Sequence, residues 1–246
     1  IYVPRGKTLG GCSSINGMMY VRGHALDYDR WVEEGSAGWS YAEVLPYFRR
    51  CENHATKAGE YHGSEGPLGV VTTSQDNPLY EAYMAAVEEA GYPHSDDYNG
   101  YQQEGAVRYD LNTSGGERAS TGSAYIGPAR HRPNLAVVTG ALATRIAVED
   151  HRATGVAYRQ GNRQCNARAD REVILCGGAV NSPQLLMLSG IGRADDLTAL
   201  DIAPVHDLPG VGQNLHDHVE TFVEHECTQP ITLYKHMKPW NAALIG

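Results

Sequence analysis

The chain has 246 residues, of which 41% are hydrophobic and 20% charged, and its formal net charge is −9. This composition is that of a globular protein with a real core, in one large domain or two smaller ones. It contains no run of Lys or Arg, so no nucleic-acid partner is expected. Its apolar stretches are short and broken by Gly, Pro or charge, so none is expected to span a bilayer.

The five cysteines are dispersed and include no C-x-x-C pair. An odd, scattered set argues against a disulfide scaffold and fits a reducing, cytoplasmic compartment. The chain starts with Ile1-Tyr2-Val3-Pro4-Arg5, without Met or a signal peptide. We interpret this as a start inside a larger protein.

Three helices are predicted in the first hundred residues. The first spans Ala25–Glu34. The second starts at Ser40-Tyr41-Ala42-Glu43, which has the form of a capping box, and runs to about Cys51. After a polar, glycine-rich loop, Asn77-Pro78 supplies the cap and the first residue of a third helix, which ends before Gly91.

Short β-branched runs separated by turn residues follow and predict a strand meander. They cover residues 135–139, 143–148, 154–159 and 172–176. After the last run, Gly177-Gly178 leads to a helix that is expected to open at Ser182-Pro183 and to close at Gly190. A strand, a glycine turn and a helix in this order form the α/β arrangement that places a helix N-terminus near a ligand.

Two segments are candidates for a binding site. The first is Gly6-Lys7-Thr8-Leu9-Gly10-Gly11-Cys12-Ser13-Ser14-Ile15-Asn16, whose small residues let backbone N–H groups approach an anion or a planar ring. A flexible glycine loop explains the same composition. The second covers residues 178–192 and is also, by itself, a capped helix with an apolar face and a glycine stop.

Two other patterns are weaker indications of a binding site. Gly210-Val211-Gly212 is followed by no third glycine and preceded by Pro209, so it is not a dinucleotide fingerprint. The acidic and imidazole side chains near the end of the chain lack the spacing of a standard metal site, so no metal is expected. They are His216, His218, Glu220 and His225.

From Gly6 through Asp29, the first segment resembles the first signature of the glucose–methanol–choline (GMC) oxidoreductase family. The second segment is similar to the second signature of that family at every position. Residues 97–105, 118–121, 208–218 and 226–234 resemble further family segments. Two long signatures in the right order are a strong signal, unlike a single short glycine motif. Cys12 stands where many members have Ser or Gly, which is a small change.

This resemblance implies an α/β fold, in which part of an FAD-binding, Rossmann-like domain is interleaved with parts of an α+β substrate domain. The expected FAD-binding parts are residues 1–53, which include the flavin loop, and 106–215. Residues 54–105 would be a substrate-domain or connecting part, and 216–246 the start of the substrate-binding domain. The family's dinucleotide fingerprint and catalytic His do not occur in the sequence, so we expect the chain alone to be inactive.

The resemblance also implies the residues that contact FAD. Ala143 would hold the adenine through its main chain, and Asn16 would be a polar contact near the reacting face, unless it only satisfies the loop backbone. Some family oxidases attach the flavin to a His where this chain has Ile15, so FAD is expected to bind non-covalently. No catalytic base can be named. The implied cofactor residues are Leu9, Gly10, Gly11, Ser13, Ser14, Asn16, Gly17, Met18, Ala143, Gly178, Ala179, Asp217 and His218.

The implied reaction is the oxidation of a primary alcohol, in which a base takes the hydroxyl proton and hydride passes to flavin N5. Several segments are most similar to choline-oxidising members, so the expected substrate is choline, oxidised to betaine aldehyde, with an unknown electron acceptor. Glu220 stands where those members place a Glu that faces the trimethylammonium group, although a solvated surface Glu explains it too. The parent protein is expected in the cytoplasm or at the periphery of the inner membrane.

Three alternatives remain open, because one scaffold serves many chemistries. The substrate could be an aryl, aliphatic or polyol alcohol. The protein could be a hydroxynitrile lyase in which flavin is structural. The chain could also be a non-catalytic remnant.

Overall fold

The computed structural model of the chain describes residues 2–74, 77–218 and 221–232. The described residues form two compact units: unit 1 consists of those up to Leu135 and of 225–232, and unit 2 of those between Ala136 and Glu224. In the described part of the chain, no helix is both long and apolar enough to cross a bilayer. The four-segment domain layout expected from the sequence refers to the complete fold and stays a prediction.

Three helices of unit 1 each start directly after their capping residue. They are α1 (Ala25–Glu33), α2 (Tyr41–Cys51) and α3 (Pro78–Glu89), as predicted. The Glu43 carboxylate accepts hydrogen bonds from the N–H and the hydroxyl of Ser40, at 3.1 and 2.6 Å. The Asn77 side chain accepts from the N–H of Leu79 at 2.9 Å. Because these contacts are local, the sequence was sufficient to place both helix starts.

The strands of unit 1 are short. A mixed sheet has the order β1 (Glu52–His54), β2 (Leu68–Thr72) and β3 (Asp110–Leu111), with β1 parallel and β3 antiparallel to β2. A hairpin of β4 (Thr113–Ser114) and β5 (Glu117–Arg118) follows, and its two turn glycines have positive φ. A π-helical turn and the short helix α4 (Gly127–Ala129) complete the unit.

Unit 2 is built on an antiparallel meander. Its strands are β6 (Ala141–Glu149), β7 (Arg152–Gln160) and β8 (Arg163–Arg168). Helix α5 (Gly178–Leu188) packs on β6, and a parallel pair, β9 (Ile191–Gly192) and β10 (His206–Asp207), flanks α6 (Ala194–Ala199) in sequence. The Ser189 hydroxyl accepts from the N–H of Ile146 and donates to the carbonyl of Leu185, so it fixes the end of α5 to the sheet.

The meander departs from its prediction in two ways. The two middle runs are β6 and β7, but residues 135–139 and 172–176 form no ladder within the described residues. Their β-branched composition indicated strands, yet a strand also needs a partner for its backbone groups. The third strand is instead β8, whose polar sequence RQCNAR gives no apolar alternation.

Helix α5 starts at Gly178 rather than at Ser182. The Ser182 hydroxyl accepts from the N–H of Gly177 at 3.0 Å, so it supports the first turn from inside the helix. Pro183 then lies within the helix, where it removes one backbone donor but does not prevent the start. The predicted stop is confirmed: Gly190 has φ +85°, and a Cβ there would lie 2.6 Å from the carbonyl oxygen of Ala203.

Candidate functional site

The glycine loop, residues 6–18, contains a 3₁₀ turn at Gly11–Ser14 that is entered through two left-handed glycines. Gly10 has φ +86° and Gly11 has φ +56°. A Cβ at Gly10 would lie 2.5 Å from the Ser14 hydroxyl oxygen and 2.9 Å from the backbone nitrogen of Gly122. The loop therefore requires glycine at residue 10 for its own packing as well as its backbone conformation.

Two other glycines of the loop have empty surroundings. Beyond the glycine itself and its two chain neighbours, no atom of the described residues lies within 4 Å of the position that a Cβ would take at Gly11 or at Gly17. The backbone at these two residues is therefore open to a group that approaches closely, which is the use of glycine at ligand sites.

The serines of the loop are directed into it. The Ser13 hydroxyl donates to the carbonyl of Gly10 at 2.6 Å and accepts from the N–H of Thr121 at 2.9 Å. The Ser14 hydroxyl donates to the carbonyl of Leu9 at 2.7 Å. These side chains hold the turn in shape, so a ligand would meet the backbone of this segment.

Asn16 is exposed, and its amide oxygen is fully engaged. Oδ1 accepts from the N–H of Met18 at 3.1 Å and from Arg118 Nη1 at 2.9 Å. The same nitrogen of Arg118 donates to the main-chain oxygens of Asn16, at 2.7 Å, and Ser13, at 3.3 Å. The oxygen thus satisfies the loop. Within the described residues, the amide nitrogen makes no hydrogen bond.

The other expected cofactor residues lie in unit 2. Ala143 pairs with Tyr158 on β7, and the register shifts between Ala143 and Arg145, so the intervening Thr144 forms a bulge. The Thr144 hydroxyl donates to the carbonyl of Ala157 at 3.1 Å. Bulges interrupt the ladder and occur next to functional sites. No pattern in the sequence predicted this bulge.

Gly178 and Ala179 form the first turn of α5, and Gly178 has φ +85°. One face of this helix, from Ala179 to Met187, and residues 212–216 line a cleft of about 440 Å³. The Asp217 carboxylate accepts from the N–H of His218 at 2.8 Å, and both residues are exposed. Glu220 lies outside the described residues. The expected residues are thus in two groups: 9–18 in unit 1, and Ala143, Gly178, Ala179, Asp217 and His218 in unit 2.

A chain of alternating charges runs through unit 1. Each consecutive pair is joined at 2.8 to 3.5 Å, and most of the side chains are buried. Three cations and three carboxylates alternate, so the charges of these six side chains cancel. Breaking such a buried series leaves an uncompensated charge, which costs several kcal/mol. In order, the members of this charge chain are Arg22, Glu52, His62, Asp97, Lys57 and Asp110.

Two buried histidines, whose rings meet edge to face at 5.2 Å, have opposite protonation states. His62 places Nδ1 2.9 Å from Glu52 and Nε2 2.8 Å from Asp97, so both ring nitrogens donate and the ring is cationic. Nδ1 of His54 accepts from the N–H groups of Thr56 and Lys57, so it carries no proton. His54 is therefore neutral, with its hydrogen on Nε2, which lies 3.3 Å from Asp110.

The pKa values follow from these contacts. Burial alone would lower the pKa of His62, but the hydrogen bonds to Asp97 and Glu52 outweigh it and raise that pKa to about 9. Burial would raise the pKa of Asp110, but contacts from His54, Thr72 and Lys57 lower it to about 2. The pKa of Asp97 is also below its usual value, because burial is outweighed by the hydrogen bond from His62.

The charge chain is tied to the segment that follows the glycine loop. The carbonyl of Tyr20 accepts from the Tyr98 hydroxyl at 2.9 Å and from the Asn99 amide at 2.8 Å, and its N–H donates to the carbonyl of Asp110. The N–H of Arg22 donates to the Asn99 side chain. Sequence reasoning missed these contacts. Its only signal was the family-like segment 97–105, which supplies two of the partners, Tyr98 and Asn99.

Residues 1–220 match the family described as GMC oxidoreductase, and the chain belongs to that family. Of the curated relatives, it is 50% identical over 246 residues to the mitochondrial choline dehydrogenase of Mus musculus, covering 100% of this chain and 41% of the relative. It is 51% identical over 247 residues to the oxygen-dependent choline dehydrogenase of Pseudomonas syringae pv. syringae, covering 98% of this chain and 44% of the relative.

Among solved structures, an FAD-dependent oxidoreductase from Chaetomium thermophilum is similar, with a TM-score of 0.83 and 31% identity. The match covers 87% of this chain and 40% of that one. The chain thus spans about two fifths of the length of the relatives it matches. The predicted family and α/β fold class are confirmed.

Proposed function

We propose that the protein to which this chain belongs is an FAD-dependent dehydrogenase that oxidises choline to betaine aldehyde. The observation that carries the proposal is the identity of about one half to choline dehydrogenases from a mammal and a bacterium, which extends over essentially the whole chain. The glycine loop lies inside this match, so the segment proposed to meet the flavin belongs to the similar region.

The shape of the glycine loop fits a flavin nucleotide. The empty positions beside Gly11 and Gly17 leave the backbone accessible to a planar ring or a pyrophosphate, while Ser13 and Ser14 keep the turn rigid from the inside. We assign Leu9, Gly10, Gly11, Ser13, Ser14, Asn16, Gly17 and Met18 to this part of the site. Ile15 has no nucleophilic atom, so the flavin would be held without a covalent bond.

The residues of unit 2 would hold the rest of the nucleotide. The bulge after Ala143 interrupts the backbone ladder at the strand proposed to meet the adenine. Gly178 and Ala179 stand at the start of an 11-residue helix, where free N–H groups favour an anion. Pro183 has no N–H to donate to the Ala179 carbonyl, which leaves that oxygen available to a ligand. Asp217 and His218 would complete the set.

FAD, when bound, supplies the acceptor for the hydride that leaves the alcohol carbon. The proposed work of this chain is to bind the cofactor and orient it, and we assign no catalytic base to it. Glu220, which lies outside the described residues, is proposed to attract the cationic trimethylammonium group of choline. Such a group has no N–H to donate, so it is recognised through charge and aromatic faces. The electron acceptor is unassigned, and we propose a location at the periphery of an inner membrane.

The test uses the complete protein loaded with FAD, under anaerobic conditions. Addition of choline should bleach the visible flavin spectrum and produce betaine aldehyde in equal amount. 3,3-Dimethylbutan-1-ol, the uncharged isostere of choline, serves as the control substrate and should bleach it more slowly. Turnover of a cyanohydrin without bleaching would indicate a lyase instead. Rapid bleaching by aryl or polyol alcohols with none by choline would reject the proposed substrate.

A further inference from the structure

Arg118 makes an unusual set of contacts with the glycine loop. Its Nη1 donates to three oxygens: the main-chain carbonyls of Ser13 and Asn16 and the side-chain carbonyl of Asn16. The contact to the Asn16 side chain is 2.9 Å long and links residues 102 positions apart in the chain. A charged donor forms stronger hydrogen bonds than a neutral one. Arg118 is therefore the principal long-range anchor of this side chain.

The contacts also decide which way the Asn16 amide points. Met18 N–H and Arg118 N–H are both donors, so the atom between them must be the oxygen. The amide nitrogen is then turned away from Arg118. Asn16 is exposed, and next to it Gly17 has no described atom within 4 Å of its Cβ position other than its own and those of its chain neighbours. The NH₂ group makes no hydrogen bond within the described residues, so it is available to a ligand.

Arg118 is itself held in place. It lies on β5 opposite Thr113, and the following residue, Ala119, donates its N–H to the carbonyl of Asn112 at 2.9 Å. The N–H of Asn112 in turn donates to the carbonyl of Met18 at 2.8 Å. The hairpin and the end of the glycine loop therefore form one hydrogen-bonded assembly, so the guanidinium has a fixed position relative to Asn16.

We propose that Arg118 is a positioning residue that orients the Asn16 amide so that its nitrogen presents a hydrogen-bond donor to the bound flavin. This inference rests on the proposed function. Without the guanidinium, the amide is free to turn over and to direct its oxygen toward the flavin. Arg118 would thus affect the flavin through Asn16 without contacting it.

A double-mutant cycle tests this route. FAD dissociation constants are measured by flavin fluorescence for the complete protein and for Arg118→Gln, Asn16→Ala and the double variant. Loss of one neutral hydrogen bond to the flavin corresponds to roughly a threefold to tenfold rise in Kd for Asn16→Ala, and Arg118→Gln, which acts through the same amide, should cause at most the same rise. The effect of Arg118→Gln should be at least about threefold smaller in the Asn16→Ala background, because its target is already gone. Both single variants should also change the position of the visible flavin bands.

Controls separate positioning from folding. Arg132→Gln, which changes an exposed arginine of the same unit, should leave the Kd and the spectrum unchanged. Arg118→Lys keeps one charged donor and should restore part of the affinity, so it replaces Arg118→Gln if that variant does not fold.

Two results would overturn this inference and leave the proposed function standing. The first is a double variant whose rise in FAD Kd equals the product of the two single rises, in a protein whose flavin choline still bleaches. The second is an Arg118→Gln variant with wild-type Kd and spectrum. A complete protein that binds no FAD would reject this inference together with the proposed function.

Discussion

Replacing His62 with Gln should lower the stability of unit 1 strongly near neutral pH and hardly at all in alkaline solution. The wild-type imidazolium lies between two carboxylates, at 2.9 Å from Glu52 and 2.8 Å from Asp97. Gln keeps one N–H donor but no charge. At pH 6 the substitution therefore leaves each carboxylate with a single cationic neighbour, Arg22 or Lys57.

The pKa of His62 sets the magnitude and the pH range. A rise from 6.5 in the unfolded chain to about 9 in the folded one corresponds to about 3 kcal/mol of unfolding free energy. Because the folded pKa is the higher one, this contribution is fully present below pH 6.5. It disappears as the pH rises through about 9, where folded wild-type protein loses the same charge. Asp110 behaves oppositely: its lowered pKa adds stability above pH 3.8 that is lost as the pH falls toward about 2.

Urea denaturation of the complete apoprotein at a series of pH values from about 6 to 10 provides the measurement. Trp31 and Trp39 lie in the same unit as His62 and report its unfolding by fluorescence. The matched control is His94→Gln, because the His94 side chain is 56% exposed and only 3.6 Å from an exposed Asp96. That substitution should change stability by less than about 0.5 kcal/mol at every pH. An equal deficit of His62→Gln at pH 6 and pH 10 would refute the charged assignment, and so would no deficit at pH 6.

Three further predictions concern the flavin and the substrate. Gly10→Ala should lower the melting temperature of the apoprotein, because the new Cβ would lie 2.5 Å from the Ser14 hydroxyl. Gly17→Ala should instead weaken FAD binding and leave the melting temperature unchanged. The reverse pattern would exclude Gly17 from the flavin contact. Acid precipitation of the complete protein should release all flavin into the supernatant, because Ile15 offers no point of attachment, and a yellow pellet would show a covalent bond. Glu220→Gln should raise the Michaelis constant for choline roughly tenfold to a hundredfold but that for 3,3-dimethylbutan-1-ol much less, and equal losses would remove Glu220 from cation recognition.

The helix starts could be predicted because their determinants are local. Ser40 with Glu43, and Asn77 with Pro78, carry out their capping within one turn of the helix that they begin. The predicted start of α5 was wrong for a related reason. Ser182 is a capping residue by type, but its hydroxyl accepts from the N–H of Gly177 from inside the helix. A residue's type indicates that it will cap, but its position relative to the first turn depends on the fold.

Strands and buried charges were harder to predict from the sequence, because their partners are distant in the chain. Residues 172–176 have strand composition but no ladder among the described residues, whereas the polar β8 has six paired residues on β7. The charge chain joins residues 10 to 53 positions apart, and a polar loop sequence around His54 and His62 gives no sign that both side chains are buried. In the glycine loop, the signature indicated Asn16, but its contact with Arg118 required the structure.

The charge chain also bears on how unit 1 is made. Its first member is Arg22 and its last is Asp110, so the ribosome delivers the charges one at a time, and no complete set exists until the whole stretch has emerged. Up to that point at least one cation or carboxylate lacks its neutralising partner, and burying it alone would be unfavourable. We therefore expect this region to stay open during synthesis and to close in a single cooperative step once Asp110 is available, with the glycine loop acquiring its shape in the same event.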